Sequence, residues 1–132
     1  MNRKSKQRII VLNLLLFVLL FGLVSLNKEL LRPLYSNIPT INILTGSFPN
    51  FIAAYIISLA FVNVVVIRQL KHGRLIVYLS SLLIFVILTI EEFKPIWGAS
   101  TNYDLFDILA SGLGSLLAIF TFELVVLKRK IK

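Results

Sequence analysis

Long apolar stretches alternate with short polar segments along the chain. The apolar stretches cover approximately residues 9–26, 50–67, 75–91 and 105–127. An α-helix rises about 1.5 Å per residue, so roughly 20 residues cross a bilayer core of about 30 Å, and shorter stretches extend into their flanks. The pattern therefore predicts an all-α membrane protein, with four transmembrane helices in a single integral membrane domain over residues 1–132.

The basic residues are unevenly distributed among the polar segments, and this predicts the orientation of the helices. Of the fourteen Lys and Arg residues, all but Lys28, Arg32 and Lys94 lie before the first stretch, between the second and third, or after the fourth. Cytoplasmic segments of membrane proteins carry an excess of Lys and Arg. We therefore expect a multi-pass protein of the plasma (inner) membrane with both termini in the cytoplasm, N-in and C-in.

The first apolar stretch also has one feature of a secretory signal peptide, because basic residues precede its apolar core. The sequence SLNKEL that follows lacks an A-x-A cleavage pattern, so we interpret the stretch as a membrane anchor. The outer segment 27–50 contains Pro33, Pro39, Gly46 and Pro49. This composition predicts an irregular or partly interfacial loop.

Composition excludes several classes of function. With 58% hydrophobic and 15% charged residues, the chain is too apolar for a soluble globule of its length. The formal charge of +8 lies between apolar stretches, where it meets anionic headgroups, so we expect membrane lipids and not nucleic acid as partners. The sequence has no cysteine and one histidine, His72. We therefore expect neither a metal site nor a cofactor.

The acidic residues gather between the last two stretches. Four of the six lie there, and they are Glu91, Glu92, Asp104 and Asp107. Glu91 and Glu92 end the third helix, where a carboxylate opposes the helix dipole by up to about 1 kcal/mol. One interpretation is that water at the membrane surface solvates both carboxylates. Alternatively, a turn at Pro95 and Gly98 brings them opposite Asp107, and the four acids form an outward acidic mouth that holds a cationic group.

Asp104 and Asp107 also have a structural interpretation, because they lie at the predicted start of the fourth helix. An Asp at the N-cap accepts hydrogen bonds from first-turn N–H groups, and a carboxylate three residues later resembles a capping box. Asp107 shares one helical face with Ser111 and Gly114, so we expect it to point into the bundle. An ionisable group there is a candidate functional residue.

Two further features belong to the fourth helix. Ala110, Gly114 and Ala118 form a ladder of small residues at every fourth position, which predicts close packing against another helix. Glu123 lies on a different face, near the cytoplasmic end of the same helix. We expect its side chain to extend toward Lys128 or the lipid headgroups.

The acidic pair EE at 91–92, the segment KPIWGASTNYDLF and the motif DILASGLG at 107–114 occur in this order. This arrangement resembles the VanZ-like family of small bacterial membrane proteins. Family members carry an acidic pair after one span, a short Pro/Gly-containing loop, and Asp-x-x-x-Asn-x-x-Gly opening the last span. The sequence departs from the family in having Glu-Glu where Asp-Glu is usual, in lacking a nearby Gln and a preceding Arg, and in having Ser111 at the Asn position.

The resemblance implies an envelope membrane protein with four spans, in a family whose founding member is associated with teicoplanin resistance. We expect a non-enzymatic protein whose acidic mouth engages a lipid, a glycopeptide-like antibiotic or another membrane protein. A membrane-embedded enzyme acting on a lipid-linked envelope precursor and a small cation or proton carrier are the alternatives. The sequence contains no Gly-rich phosphate loop, no G-x-S-x-G elbow and no H-E-x-x-H motif.

Overall fold

The computed structural model describes residues 3–94 and 104–130. The helices in chain order are α1 (Arg3–Leu26), a π-helix (Asn27–Leu31), α2 (Arg32–Leu34), α3 (Pro39–Arg68), α4 (Gly73–Phe93) and α5 (Leu105–Lys130). No strand occurs within the described ranges. The predicted all-α fold class is therefore confirmed.

Four helical segments are long and apolar enough to cross a membrane. They are Arg3–Leu34, Pro39–Arg68, Gly73–Phe93 and Leu105–Lys128. Their number and order confirm the prediction of four transmembrane helices. Each segment is longer than the apolar stretch that predicted it, because the helix continues into the polar flanks.

The segment 27–50 is helical over most of its length, so the prediction of an irregular loop there is wrong. Proline is favoured in the first turn of a helix, because its ring fixes φ and its missing N–H has no intrahelical acceptor there. Pro39 is the first residue of α3, and Pro33 lies in the first turn of α2. Pro39 therefore begins a helix, whereas Pro33 lies near the end of the continuous helical segment Arg3–Leu34 and Pro49 lies inside α3.

Pro49 interrupts the hydrogen bonding of α3, and the side chain of Asn27 compensates for it. Because proline has no N–H, the carbonyl of Thr45, four residues earlier, loses its helical donor. Asn27 Nδ2 donates a hydrogen bond of 2.6 Å to this carbonyl oxygen, and Arg32 Nη2 donates one of 3.2 Å to the oxygen of Gly46. Asn27 is 3% exposed, so a buried amide replaces the missing backbone donor.

Contacts divide the chain into two compact units, Met1–Pro49 and Asn50–Lys132. The first unit holds α1, the π-helix, α2 and the beginning of α3. Helix α1 buries none of its residues, and large side chains such as Leu14 and Phe21 are exposed. A helix that is apolar all round is expected to lie in lipid, so this exposure fits a membrane span.

The second unit packs the rest of α3 with α4 and α5. Among the residues that the structure describes, its buried apolar side chains are Ile52, Ala54, Leu59, Val62, Val65, Val66, Val77, Ile84, Ala110, Ala118 and Phe122. Buried hydroxyl side chains of the same described part are Ser58, Ser80, Ser81, Ser111 and Ser115. Most of these side chains are small or β-branched, and small side chains let transmembrane helices approach closely.

Helix α5 approaches the backbone of α3 at Gly114. A Cβ atom at Gly114 would overlap the carbonyl oxygen of Phe51 and would lie 3.0 Å from the Cβ of Ala54. Ala110 and Ala118, one turn to either side, are 8% and 0% exposed. The residues of the small-residue ladder therefore lie in the contact between α5 and the rest of the unit.

Candidate functional site at the acidic ends of α4 and α5

A hydrogen bond joins the end of α4 to the start of α5. Glu92 Oε1 accepts this bond from the backbone N–H of Asp104, at 2.9 Å. Helix α4 ends at Phe93 and α5 begins at Leu105, so the bond fixes the acidic ends of two antiparallel helices side by side. The predicted turn at Pro95 and Gly98 lies outside the described residues.

Asp104 is the N-cap of α5. Its Oδ1 accepts a hydrogen bond of 2.9 Å from the N–H of Phe106. Its carbonyl oxygen accepts bonds from the N–H groups of Asp107 and Ile108, at 3.1 and 3.3 Å. The side chain thus satisfies one of the N–H groups that a helix start leaves without an intrahelical acceptor, which gives Asp104 a structural role.

The cap differs from an ordinary capping box. In a capping box the side chain at the third helical position accepts the N–H of the N-cap residue. Asp107 occupies that third position, yet the N–H of Asp104 is directed to Glu92 of the neighbouring helix. A carboxylate from α4 therefore performs the task usually done within one helix, and this makes the start of α5 dependent on α4.

The other candidate residues lie around this junction. Glu91 and Asp107 are half-buried, and the Oδ1 atom of Asp107 is buried. Ser111 is 3% exposed, and its Oγ donates a hydrogen bond of 2.9 Å to the carbonyl oxygen of Asp107. The hydroxyl of Ser111 is thus engaged by the backbone of its own helix, as is common for serine inside helices.

In chemical terms the junction offers carboxylate oxygens as hydrogen-bond acceptors and negative charges. Among the residues that the structure describes, no three His, Cys, Asp or Glu side chains are placed to hold a metal ion. The structure brings Glu92 and Asp104 into direct contact. It holds Asp107 one turn into α5, with Ser111 a further turn along the same face.

The opposite ends of α4 and α5 carry an ion pair that the sequence did not predict. Glu123 accepts hydrogen bonds of 2.9 Å from Arg74 Nη2 and from the hydroxyl of Tyr78. Lys128 was one of the two expected partners of Glu123, the lipid headgroups being the other, and the structure shows Arg74 in its place, because residues five apart lie about 140° from each other around a helix. Arg74 and Tyr78 lie four residues apart on one face of α4. This spacing was the feature of the sequence that could have indicated a shared partner on another helix.

No protein-family model, curated protein or solved structure matches the chain. The class of protein is therefore inferred from the fold. The chain is all-α within the described residues, with four helices long and apolar enough to cross a membrane, which indicates a multi-pass membrane protein.

Proposed function

We propose that the chain is a VanZ-like membrane protein of the cell envelope. In this proposal the acidic mouth faces outward from the plasma membrane and engages a lipid, a glycopeptide-like antibiotic or another membrane protein. The observation that carries the proposal is the 2.9 Å hydrogen bond between Glu92 and Asp104. This bond holds the two acid-bearing helix ends together, so that their carboxylates present one negative surface to a ligand with cationic or hydrogen-bond-donating groups.

Binding fits these residues better than catalysis does. The carboxylate of Asp104 already caps α5, and the hydroxyl of Ser111 already bonds to the helix backbone. A general acid or base must lie within hydrogen-bond reach of the proton that it transfers. Groups that hold the helix start in place supply charge and shape at the mouth without taking part in a proton transfer.

The proposal is tested by complementing a deletion strain with charge-removing variants. Lipid composition, envelope precursors and susceptibility to a glycopeptide antibiotic are measured in the deletion strain and after complementation. We expect Glu92→Gln and Asp107→Asn each to fail to restore whichever property the deletion changes, at normal protein levels. An amide keeps the shape of the side chain, and the amide oxygen that Glu92→Gln introduces can still accept the N–H of Asp104, so the fold should persist.

Glu29→Gln is the matched control, because Glu29 is also predicted on the outer side but lies outside the acidic mouth. It should restore the property fully. The double variant of Glu92 and Asp107 should be little worse than either single variant, since groups that act as a unit lose function together. Full restoration by both single variants would contradict the proposal and leave the acids as helix caps and solvated surface.

A further inference from the structure

A cavity of about 470 Å³ lies at the end of α4 opposite to the acidic mouth. Small-molecule sites commonly have volumes of about 300–1,000 Å³. The apolar part of its lining, the apolar wall, includes Val65, Val66 and Val126 of α3 and α5. The polar part of its lining, the polar wall, includes Gln69 and Lys71 from the turn between α3 and α4, and Arg74 from the first turn of α4.

The polar wall carries positive charge. Arg74 donates one hydrogen bond to Glu123 from Nη2, and a guanidinium has five N–H donors, so Arg74 can bond further acceptors. Lys71 is exposed, and the structure gives it no ion pair among the residues it describes. Glu123 is the sole acidic residue of Asn50–Lys132 beyond the acidic mouth, and its negative charge is balanced by Arg74. The charge of Lys71 therefore leaves the polar wall with a net positive charge. The cavity therefore favours an anion.

The backbone at the polar wall has an unusual conformation. Helix α3 ends with a hydrogen bond of 3.4 Å from the N–H of Leu70 to the carbonyl of Val65, and Gln69 between them has a φ of 53°. This is a Schellman motif, in which glycine is the usual residue at the left-handed position. Gln69 places a side-chain amide on the cavity wall at a position where a Cβ atom is disfavoured.

The first turn of α4 adds to the attraction for an anion. Helix α4 begins at Gly73, and its N-cap residue His72 makes no side-chain capping bond. The positive end of the helix dipole and the first-turn N–H groups therefore lie beside Lys71 and Arg74. Cationic side chains, a side-chain amide and a helix start all lie around one cavity.

We propose that this cavity binds an anionic phospholipid, whose phosphate contacts Lys71, Gln69 and Arg74 and whose acyl chain contacts Val66 and Val126. Helices α3, α4 and α5 are each long enough to cross a membrane, so the turn between α3 and α4 lies at the level of the headgroups. An amphiphile matches a cavity with one apolar and one cationic wall. This proposal is independent of the acidic mouth, which lies about 30 Å away along α4.

The test measures binding of phosphatidylglycerol to the purified full chain in detergent by native mass spectrometry. Phosphatidylcholine and inorganic phosphate are the comparison ligands. We expect about fivefold tighter binding of phosphatidylglycerol than of phosphatidylcholine, because a neutral headgroup gains less from the cations. Inorganic phosphate should compete weakly, since it leaves the apolar wall unfilled. Equal affinities for the two lipids, or phosphate binding as tight as that of phosphatidylglycerol, would overturn the proposal.

Two variants distinguish binding at a defined site from a general attraction between basic residues and anionic lipid. Lys71→Gln and Arg68→Gln each remove one charge from the same turn region, but Arg68 does not line the cavity. Lys71→Gln should weaken phosphatidylglycerol binding about fivefold, and Arg68→Gln should weaken it less than about twofold. Equal losses for the two variants would show that the attraction is diffuse and would overturn the site.

Gln69→Gly distinguishes a role of Gln69 in lipid binding from a role in the backbone alone, because stability and lipid affinity should change in opposite directions. Glycine relieves the left-handed backbone, so the melting temperature of the lipid-free protein should rise. The same change removes the side-chain amide, so the affinity for phosphatidylglycerol should fall about threefold. A variant that becomes more stable and binds the lipid as tightly as the natural chain would remove Gln69 from the site and contradict the proposal.

Discussion

Several polar side chains complete the hydrogen bonding of helices. Asn27 donates to the carbonyl of Thr45 that Pro49 leaves without a donor, Asp104 accepts from the first turn of α5, and Ser111 donates to its own helix. A buried backbone group without a partner costs about 1–3 kcal/mol, and a bilayer core supplies no water to replace it. The sequence revealed the cap at Asp104 because the pattern is local. It did not reveal Asn27, whose partner is 18 residues away.

Asn27→Leu should lower the free energy of unfolding by about 1–3 kcal/mol, because Thr45 O would remain buried without its 2.6 Å hydrogen bond. Pro49→Ala restores a backbone N–H that can reach this oxygen. In the Pro49→Ala background the same Asn27 substitution should therefore cost less, which a double-mutant cycle measures. Unfolding is followed in mixed detergent micelles. The same cost in both backgrounds would show that Asn27 does not compensate for the proline.

At the scale of elements, the helix contacts follow the small residues. Gly114 of the predicted ladder lies against α3, and three of the helical glycines differ in how much free space surrounds them. A Cβ atom would overlap Phe51 O at Gly114, would lie 3.3 Å from the Phe85 ring at Gly112, and would meet nothing within 4 Å at Gly22. A backbone oxygen cannot move aside as a ring can. The cost of added volume should therefore differ among these positions.

Replacing each of these glycines by alanine should give an ordered series. Gly114→Ala should destabilise the protein by about 1–3 kcal/mol, because α5 must move away from α3. Gly112→Ala should cost less, and Gly22→Ala should be neutral or stabilising by up to about 1 kcal/mol through helix propensity. Folded yield and unfolding in detergent check the order. Equal effects of Gly114→Ala and Gly22→Ala would contradict close packing at α5.

The sequence predicted the helices of this protein but not the contacts between them. The four spans follow from apolar length alone, which is why they could be predicted. The helical start of α3 could not, because a proline counts as a loop residue by composition whether it begins a helix, as Pro39 does, or lies inside one, as Pro49 does. The contact of Glu92 with Asp104 and that of Glu123 with Arg74 each join different helices. Such pairs depend on how helices align, which residue spacing within one helix does not determine.

At the scale of the whole molecule, the unit Asn50–Lys132 has ends of opposite charge. The acid-bearing ends of α4 and α5 meet at Glu92 and Asp104. At the other ends lies the basic turn, residues 68–74 with Arg68, Lys71 and Arg74, which borders the cavity. The distribution of Lys and Arg predicts that the basic turn faces the cytoplasm. The proposed functions of both ends depend on this orientation, since the acidic mouth must meet an outer ligand and the cavity must meet anionic lipid of the inner leaflet.

Cysteine labelling in intact cells tests this orientation most directly, because the chain has no cysteine of its own and each variant would carry one thiol. Ser36→Cys and Ser100→Cys are predicted on the outer side and should react with a membrane-impermeant thiol reagent. His72→Cys lies in the basic turn and should react only after the cells are permeabilised. Labelling of His72→Cys in intact cells, with protection of the other two, would contradict an outward acidic mouth.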